Sequence, residues 1–139
     1  MNRADFRQLA EDRVLDADAL LAAGRWSGAY YLAGYAVECG LKACILGYIE
    51  SSGIIFEDKK FAERCWTHDI EQLFVSANLK VARDLAVAAN PHFGNNWIVV
   101  KAWNESDRYY QKTEAEARSL FAAVTDQVNG MLPWIKVYW

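Results

Sequence analysis

The chain has 139 residues, enough for one domain with a continuous core that needs no staples. Hydrophobic residues make up 53% and charged residues 24%, which argues against disorder, and the 14% aromatic share implies a core or interface built with large rings. With 15 Lys+Arg against 18 Asp+Glu the net charge is -3, which excludes a general nucleic-acid footprint and leaves room only for a local basic patch.

A first helix is predicted over residues 4–23. Phe6, Leu9, Ala10, Val14, Ala17, Leu20 and Leu21 recur at spacings of three and four, and Gly24 stands where a C-terminal cap belongs. A second helix over 25–50 carries two apolar stripes. One is large: Trp26, Tyr30, Val37, Leu41, Cys44 and Tyr48. The other is small: Ala29, Ala33, Ala36, Gly40, Ala43 and Gly47. A helix apolar on two faces is central, and small residues let another helix backbone approach closely. One face is expected to pack within the subunit, the other against a further helix, with a second subunit as one source of it.

A loop is expected from Ser51, Ser52 and Gly53 through Ile54, Ile55 and Phe56 to the charged stretch ending at Glu63. Thr67 reads as the N-cap of a third helix with Ile70, Leu73, Phe74 and Ala77, broken at Asn78. A short fourth helix presents Val81, Leu85 and Ala88, and Asn90-Pro91 marks a turn. Residues 97–103 contain a β-prone Ile98-Val99-Val100 run, but a strand has no partner, so the segment is read as helical or irregular. Thr113-Glu114-Ala115-Glu116 fits a capping box opening the last helix, whose face is Leu120, Phe121, Val124, Val128, Met131, Leu132 and Ile135, with Gly130 and Pro133 bending its end. The sum is one all-α domain over 1–139: an antiparallel four-helix up-and-down bundle with one or two short extra helices.

Three polar groups stand out. Glu38 and Lys42 lie at i and i+4 on the second helix, either an exposed ion pair or a partly buried pair at an interface or ligand. Thr67-His68-Asp69 opens a helix, by capping or by anion contact through His68. In the run WNESDRYY, Arg108 can fork onto phosphate and Trp103, Tyr109 and Tyr110 can stack. The alternative is that the rings complete the core and Arg108 pairs with a carboxylate such as Glu38. Cys39, Cys44 and Cys65 are odd in number and have no metal-finger spacing, so they read as reduced thiols of a cytoplasmic protein. No cofactor motif, phosphate loop or hydrolase elbow is present, and the charged N-terminus and lack of about 18 consecutive apolar residues predict no signal peptide or membrane span.

Residues 22–43, AAGRWSGAYYLAGYAVECGLKA, resemble the HEPN family of small helical-bundle domains in their small-residue turn, aromatic and Tyr-x-Val-Glu-x-x-Leu-Lys helix. His68-Asp69-Ile70 is similar to that family's His-Asp-Leu helix opening, and Trp103 with Arg108-Tyr109 to its Trp…Arg-Tyr element; the likeness spans residues 4–135. It implies an antiparallel four-helix core, commonly dimeric. It implies either ribonuclease activity or association with a small nucleotidyltransferase or a nucleotide. The ribonuclease members carry an Arg, four to six residues, then a His. Here three residues separate Arg64 from His68, eight separate Arg83 from His92, and no His follows Arg108. The reading is therefore a non-catalytic, homodimeric module, in a toxin–antitoxin-like or stress-related setting. Glu38, Lys42, His68, Trp103, Arg108 and Tyr109 face its ligand: Arg108 and Lys42 meet phosphate, and Tyr109 or Trp103 stacks on a base. A divergent ribonuclease using Arg64 with His68, and a purely structural dimer subunit, are the alternatives.

Overall fold

The structure, a computed structural model, describes residues 1–53 and 59–139. Among these residues every regular element is helical: α1 (Arg3–Ala22), α2 (Trp26–Ser52), α3 (Lys59–Cys65), α4 (Ile70–Ser76), α5 (Lys80–Ala89), α6 (Pro91–Lys101), a 3₁₀ segment (Glu105–Tyr109), α7 (Glu114–Thr125) and α8 (Met131–Lys136). The loop expected at Ile54, Ile55 and Phe56 lies outside the described residues. The charged stretch after it is not a loop throughout, because α3 forms there.

α1 begins at a capping box: the Asn2 side chain accepts from Asp5 N at 2.9 Å and the Asp5 carboxylate accepts from Asn2 N at 2.8 Å. It ends at Gly24, whose φ of 71° is the left-handed conformation that glycine adopts at little cost. The chain reverses there, and α2 runs back against α1. α2 is the hub, touched by α1, α4, α7, α8 and the 3₁₀ segment. Both of its apolar stripes are consumed within the chain. Ala29, Ala33, Ala36 and Ala43 are fully buried, Gly40 faces Leu132 and Ile135 of α8, and Gly47 faces the Arg3 guanidinium of α1. The small stripe thus serves close packing inside the subunit. By length and composition α2 could also cross a bilayer; 61% of its most apolar window is buried inside the protein, where it acts as the core helix.

Three local expectations are corrected, and a fourth is sharpened. Asp69, not Thr67, is the N-cap of α4: its carboxylate accepts from Gln72 N at 3.0 Å, while Thr67 Oγ1 accepts from Asp69 N at 3.1 Å. Asn90-Pro91 is not a free turn but the start of α6, with Asn90 as N-cap and Pro91 in the first turn, where its missing N–H costs nothing. The segment read as helical or irregular is helical: α6 runs through Ile98-Val99-Val100, and burial of Trp97 and Val100 overrides the strand propensity of the run. The last helix is two helices. Asp126 leaves helical geometry, its carboxylate accepts from Asn129 N at 2.6 Å, and a Cβ on Gly130 would stand 2.2 Å from Asp126 O, so only glycine fits that corner. Val128 consequently sits in the connecting turn, 87% exposed.

α5 departs furthest from its pattern. Val81 and Leu85, the expected buried face, are 71% and 67% exposed. The buried residue is Arg83. Its guanidinium lies 4.1 Å from the Trp97 ring centroid and 4.8 Å from that of Phe74, and it forks onto both oxygens of Glu71 and onto Asp84. A desolvated cation between two rings, with its donors satisfied, outweighs burial of two aliphatic side chains.

Candidate functional site

Between the start of α4, the end of α6 and the 3₁₀ segment lies a cleft of about 650 Å³, walled by Thr67, His68, Glu71, Lys101, Trp103 and Glu105. That volume is in the range of small-molecule pockets, roughly 300–1,000 Å³.

Each wall has a local cause. The 3₁₀ segment starts at a second capping box, in which the Asn104 side chain accepts from Ser106 N at 3.0 Å and the Asp107 carboxylate accepts from Asn104 N at 2.8 Å. Asp107 also pairs with Lys112 Nζ at 3.3 Å. Lys112 in turn lies 4.5 Å from the Tyr30 ring centroid, and its backbone N–H donates to Ser27 Oγ at 2.9 Å. The segment is thereby pinned to the first turns of α2. Burial, followed by the charge of Asp107, pushes the Tyr30 hydroxyl above its ordinary pKa. Trp103 precedes the segment and its ring lies flat over Gly34 of α2, the glycine permitting an approach that a Cβ would block at 2.3 Å.

Behind the His68 wall sits Glu38, 1% exposed. One of its oxygens, Oε1, accepts from Lys42 Nζ at 2.7 Å and from His68 Nδ1 at 2.8 Å. The other, Oε2, is buried without a hydrogen-bond partner among the described residues, and so is Trp103 Nε1. A carboxylate oxygen only accepts, so the bond to Glu38 puts a proton on Nδ1 and leaves Nε2 on the cleft side. Nε2 lies 3.6 Å from Glu105 Oε2, while Glu105 Oε1 pairs with Arg108 Nη1 at 2.8 Å. Hydrogen bonding to Tyr109, then to Tyr31, and the charge of Glu105 hold the Arg108 pKa above its ordinary value.

Glu38, Lys42, His68, Glu105 and Arg108 therefore form one chain of contacts from the core to the rim. The Glu38–Lys42 pair is the buried alternative rather than the exposed one: the Lys42 side chain is 14% and that of Glu38 1% exposed. Arg108 pairs with Glu105 and not with Glu38. Trp103, 3% exposed, forms the floor and is packed against Tyr31 at 5.8 Å between centroids, so its ring face is not open to a base. Tyr109 is 73% exposed, with the Arg108 guanidinium 4.9 Å from its ring centroid. Arg64 is on α3 with its guanidinium 5.7 Å from the Phe61 ring centroid, while the charged partners of His68 are Glu38 and Glu105.

Sequence reasoning missed two residues. Glu105, three before Arg108, could have been read from its i,i+3 spacing. Lys101 is the one lysine or arginine lining the cleft, and no carboxylate pairs with it among the described residues. Nothing local marks it, because its freedom shows only when the other cations are seen to be taken: Lys42 by Glu38, Arg83 by Glu71, Arg108 by Glu105. Cys39 and Cys44 take no part in the cleft; burial pushes both thiols up to about 12. Among the described residues no cluster of His, Cys, Asp and Glu could hold a metal ion. No family model matches the chain, and neither does a curated protein or a solved structure.

Proposed function

We propose that the chain is a non-catalytic, HEPN-like module whose cleft between α4, α6 and the 3₁₀ segment takes a nucleotide. The observation that carries this reading is the buried Glu38 carboxylate, which fixes His68 at the cleft wall while Lys101 stands in the same wall without a counter-charge. Burying a carboxylate costs several kcal/mol unless it is satisfied, and here its satisfaction orients an imidazole toward open space. The phosphate falls to Lys101 and His68 Nε2, since Lys42 and Arg108 are already paired; Tyr109, exposed at the rim, is the ring left for a base. The same reading takes α1, α2, α6 and α7 as an antiparallel four-helix core and places the protein in the cytoplasm as a homodimer. Its partner is a nucleotidyltransferase in a toxin–antitoxin-like or stress-related system. The test is a thermal-shift and calorimetric panel of nucleotides. One or more ligands raise Tm for the wild type, and Lys101→Ala abolishes the rise without changing the Tm of the free protein. A flat panel rejects nucleotide binding.

One observation favours a second reading, RNA cleavage at a divergent site. A carboxylate-held imidazole with Nε2 toward a cleft is the arrangement of a general base, and Arg108 stands across Glu105 to stabilise charge, in place of Arg64. Against it, the group nearest Nε2 is itself a carboxylate, at 3.6 Å. Cleavage of single-stranded RNA that disappears in His68→Ala supports this reading; activity that persists in that variant rejects it.

A further inference from the structure

The cleft already holds an anion, and it is one of the protein's own. Glu105 opens the 3₁₀ segment and lines the cleft together with His68 and Lys101. Its two carboxylate oxygens face different groups: Oε2 lies 3.6 Å from His68 Nε2, and Oε1 pairs with Arg108 Nη1 at 2.8 Å. One carboxylate thus spans an imidazole and a guanidinium, as the oxygens of a phosphate would. The arrangement is open to a ligand, because the side chains of His68, Glu105 and Arg108 are 44%, 33% and 44% exposed. The frame around it is fixed. Glu38 holds His68 Nδ1 at 2.8 Å, and the capping box of Asn104 with Asp107, tied to Lys112, holds the backbone from which Glu105 and Arg108 project. The Glu105 side chain can leave without moving that frame, and exposed ion pairs are weak, so its departure costs little.

The other carboxylates lining the cleft are committed elsewhere: Glu71 takes the fork of Arg83, and Asp69 caps α4. We infer that Glu105 stands in for the ligand's phosphate, that binding exchanges the one for the other at His68 Nε2 and Arg108, and that the cleft therefore selects a terminal phosphate monoester over a phosphodiester. This rests on the nucleotide reading above. The exchange decides the class of ligand. A phosphodiester carries one charge, so it replaces a carboxylate charge for charge and gains little. A terminal phosphate carries close to two charges and three acceptor oxygens at neutral pH. That is enough for His68, Arg108 and Lys101, the last without a carboxylate partner among the described residues. Arg108, paired in the free protein, is on this account held in reserve for the bound one. Glu105 also lowers the affinity for any anion, because the site is competent only while its carboxylate is away. An internal stretch of RNA, whose linkages are all diesters, suits such a cleft poorly.

The experiment follows the imidazole carbon-bound protons of the full chain by nuclear magnetic resonance at neutral pH. The chain has two histidines, and His92 lies outside the cleft, so it is the internal control; His92→Asn assigns the two signals. The titrants are the four nucleoside 5′-monophosphates, the methyl phosphodiester and the uncharged nucleoside of the best of them, and inorganic phosphate. In the wild type the monophosphate should move the His68 signal, leave that of His92 in place, and bind about tenfold more tightly than its methyl diester. Glu105→Gln keeps the shape and removes the charge. It should bind the phosphate ligands about three- to tenfold more tightly than the wild type, with the nucleoside unaffected and the helical circular dichroism retained. Phosphate binding that is unchanged or weaker in Glu105→Gln overturns the exchange and leaves nucleotide binding standing. Equal binding of monophosphate and diester by the wild type overturns the selection. Inorganic phosphate that moves His68 as readily as any nucleotide, with the same gain in Glu105→Gln, upholds the exchange and removes the nucleotide. Silence of His68 toward every titrant in both proteins removes both.

Discussion

Replacing Gly34 with alanine sets two known effects against each other at one position. Alanine is a better helix former than glycine, worth about 0.5–1 kcal/mol in a helix interior. At Gly34, however, the added Cβ would lie 2.3 Å from Trp103 Cδ1 and Nε1 and 2.4 Å from Cδ2. Ordinary carbon contacts are roughly 3.5–4.0 Å, so the indole must retreat by more than an ångström. It has little room to do so, with Tyr31 5.8 Å away between centroids and the ring itself 3% exposed. Overpacking costs about 1–3 kcal/mol, and a contact this short belongs at the upper end, so the net loss after the propensity gain is about 2 kcal/mol. Gly28 supplies the control. A Cβ there meets the flexible end of Leu20 at 3.2 Å, so Gly28→Ala should be neutral or slightly stabilising. Urea unfolding of both variants, followed by far-ultraviolet circular dichroism, separates the two. If Gly34→Ala is as stable as Gly28→Ala, the Trp103 ring is not seated on α2 and the cleft floor described here is wrong.

Three further outcomes follow from other parts of the fold. Arg83→Met should destabilise by about 2–3 kcal/mol in urea, through loss of the ring sandwich and the fork onto Glu71; the partial exposure of Glu71 keeps the figure below the roughly 3–5 kcal/mol of a fully buried pair, and a loss under about 0.5 kcal/mol would falsify the sandwich. Burial pushes the Cys39 and Cys44 thiols up to about 12; below the ordinary thiol range, near ~8.5, both states carry the proton and nothing is lost, whereas between there and 12 only the unfolded chain ionises, so stability should fall with rising pH by at most about 1.4 kcal/mol per pH unit for each thiol, and the slope should shrink in Cys44→Ala. At pH 8 a thiol reagent should label Cys65 ahead of Cys39 and Cys44, which stay silent until denaturant is added; prompt labelling of all three refutes their burial.

The sequence carried the helical class and the identity of the central helix because both depend on local periodicity. The two stripes of α2 are a property of twenty-odd consecutive residues, and both are buried through the middle of the helix, with Trp26, Gly47 and Tyr48 at its ends half-buried. Capping was legible too, where the spacing is three: Thr113 accepts from Glu116 N at 3.2 Å. What failed depended on what lies across the core. Val81 and Leu85 form an apolar line at the right spacing, yet Phe74 and Trp97 offer ring faces that suit Arg83 better, and neither ring is near it in sequence. Position 69 holds the cap in place of position 67 because the chain enters α4 two residues later than its composition suggests. Of the candidate site, Glu38, Lys42, His68 and Arg108 were visible as residue types, but that His68 reaches Glu38 over 30 positions is a tertiary fact.

The position of Glu38 joins these threads. A helix selected for apolar packing on two faces gains nothing in stability from a carboxylate at its centre, since an aliphatic residue of similar volume would fill the space without desolvation cost. Lys42 compensates part of that cost from the same helix, one turn on, but takes the same oxygen as His68 and leaves Oε2 untouched. Had the pair served stability alone, the second oxygen would have been the natural place for one of the two donors. Instead both converge on Oε1, and one of them, the imidazole, stands in the cleft wall. Glu38→Gln tests this directly. A structural carboxylate should be replaced at a loss in Tm with ligand affinity intact, whereas a carboxylate that orients His68 toward a ligand should lose affinity even where the amide keeps the fold, since a neutral amide holds the imidazole and the Lys42 ammonium less firmly.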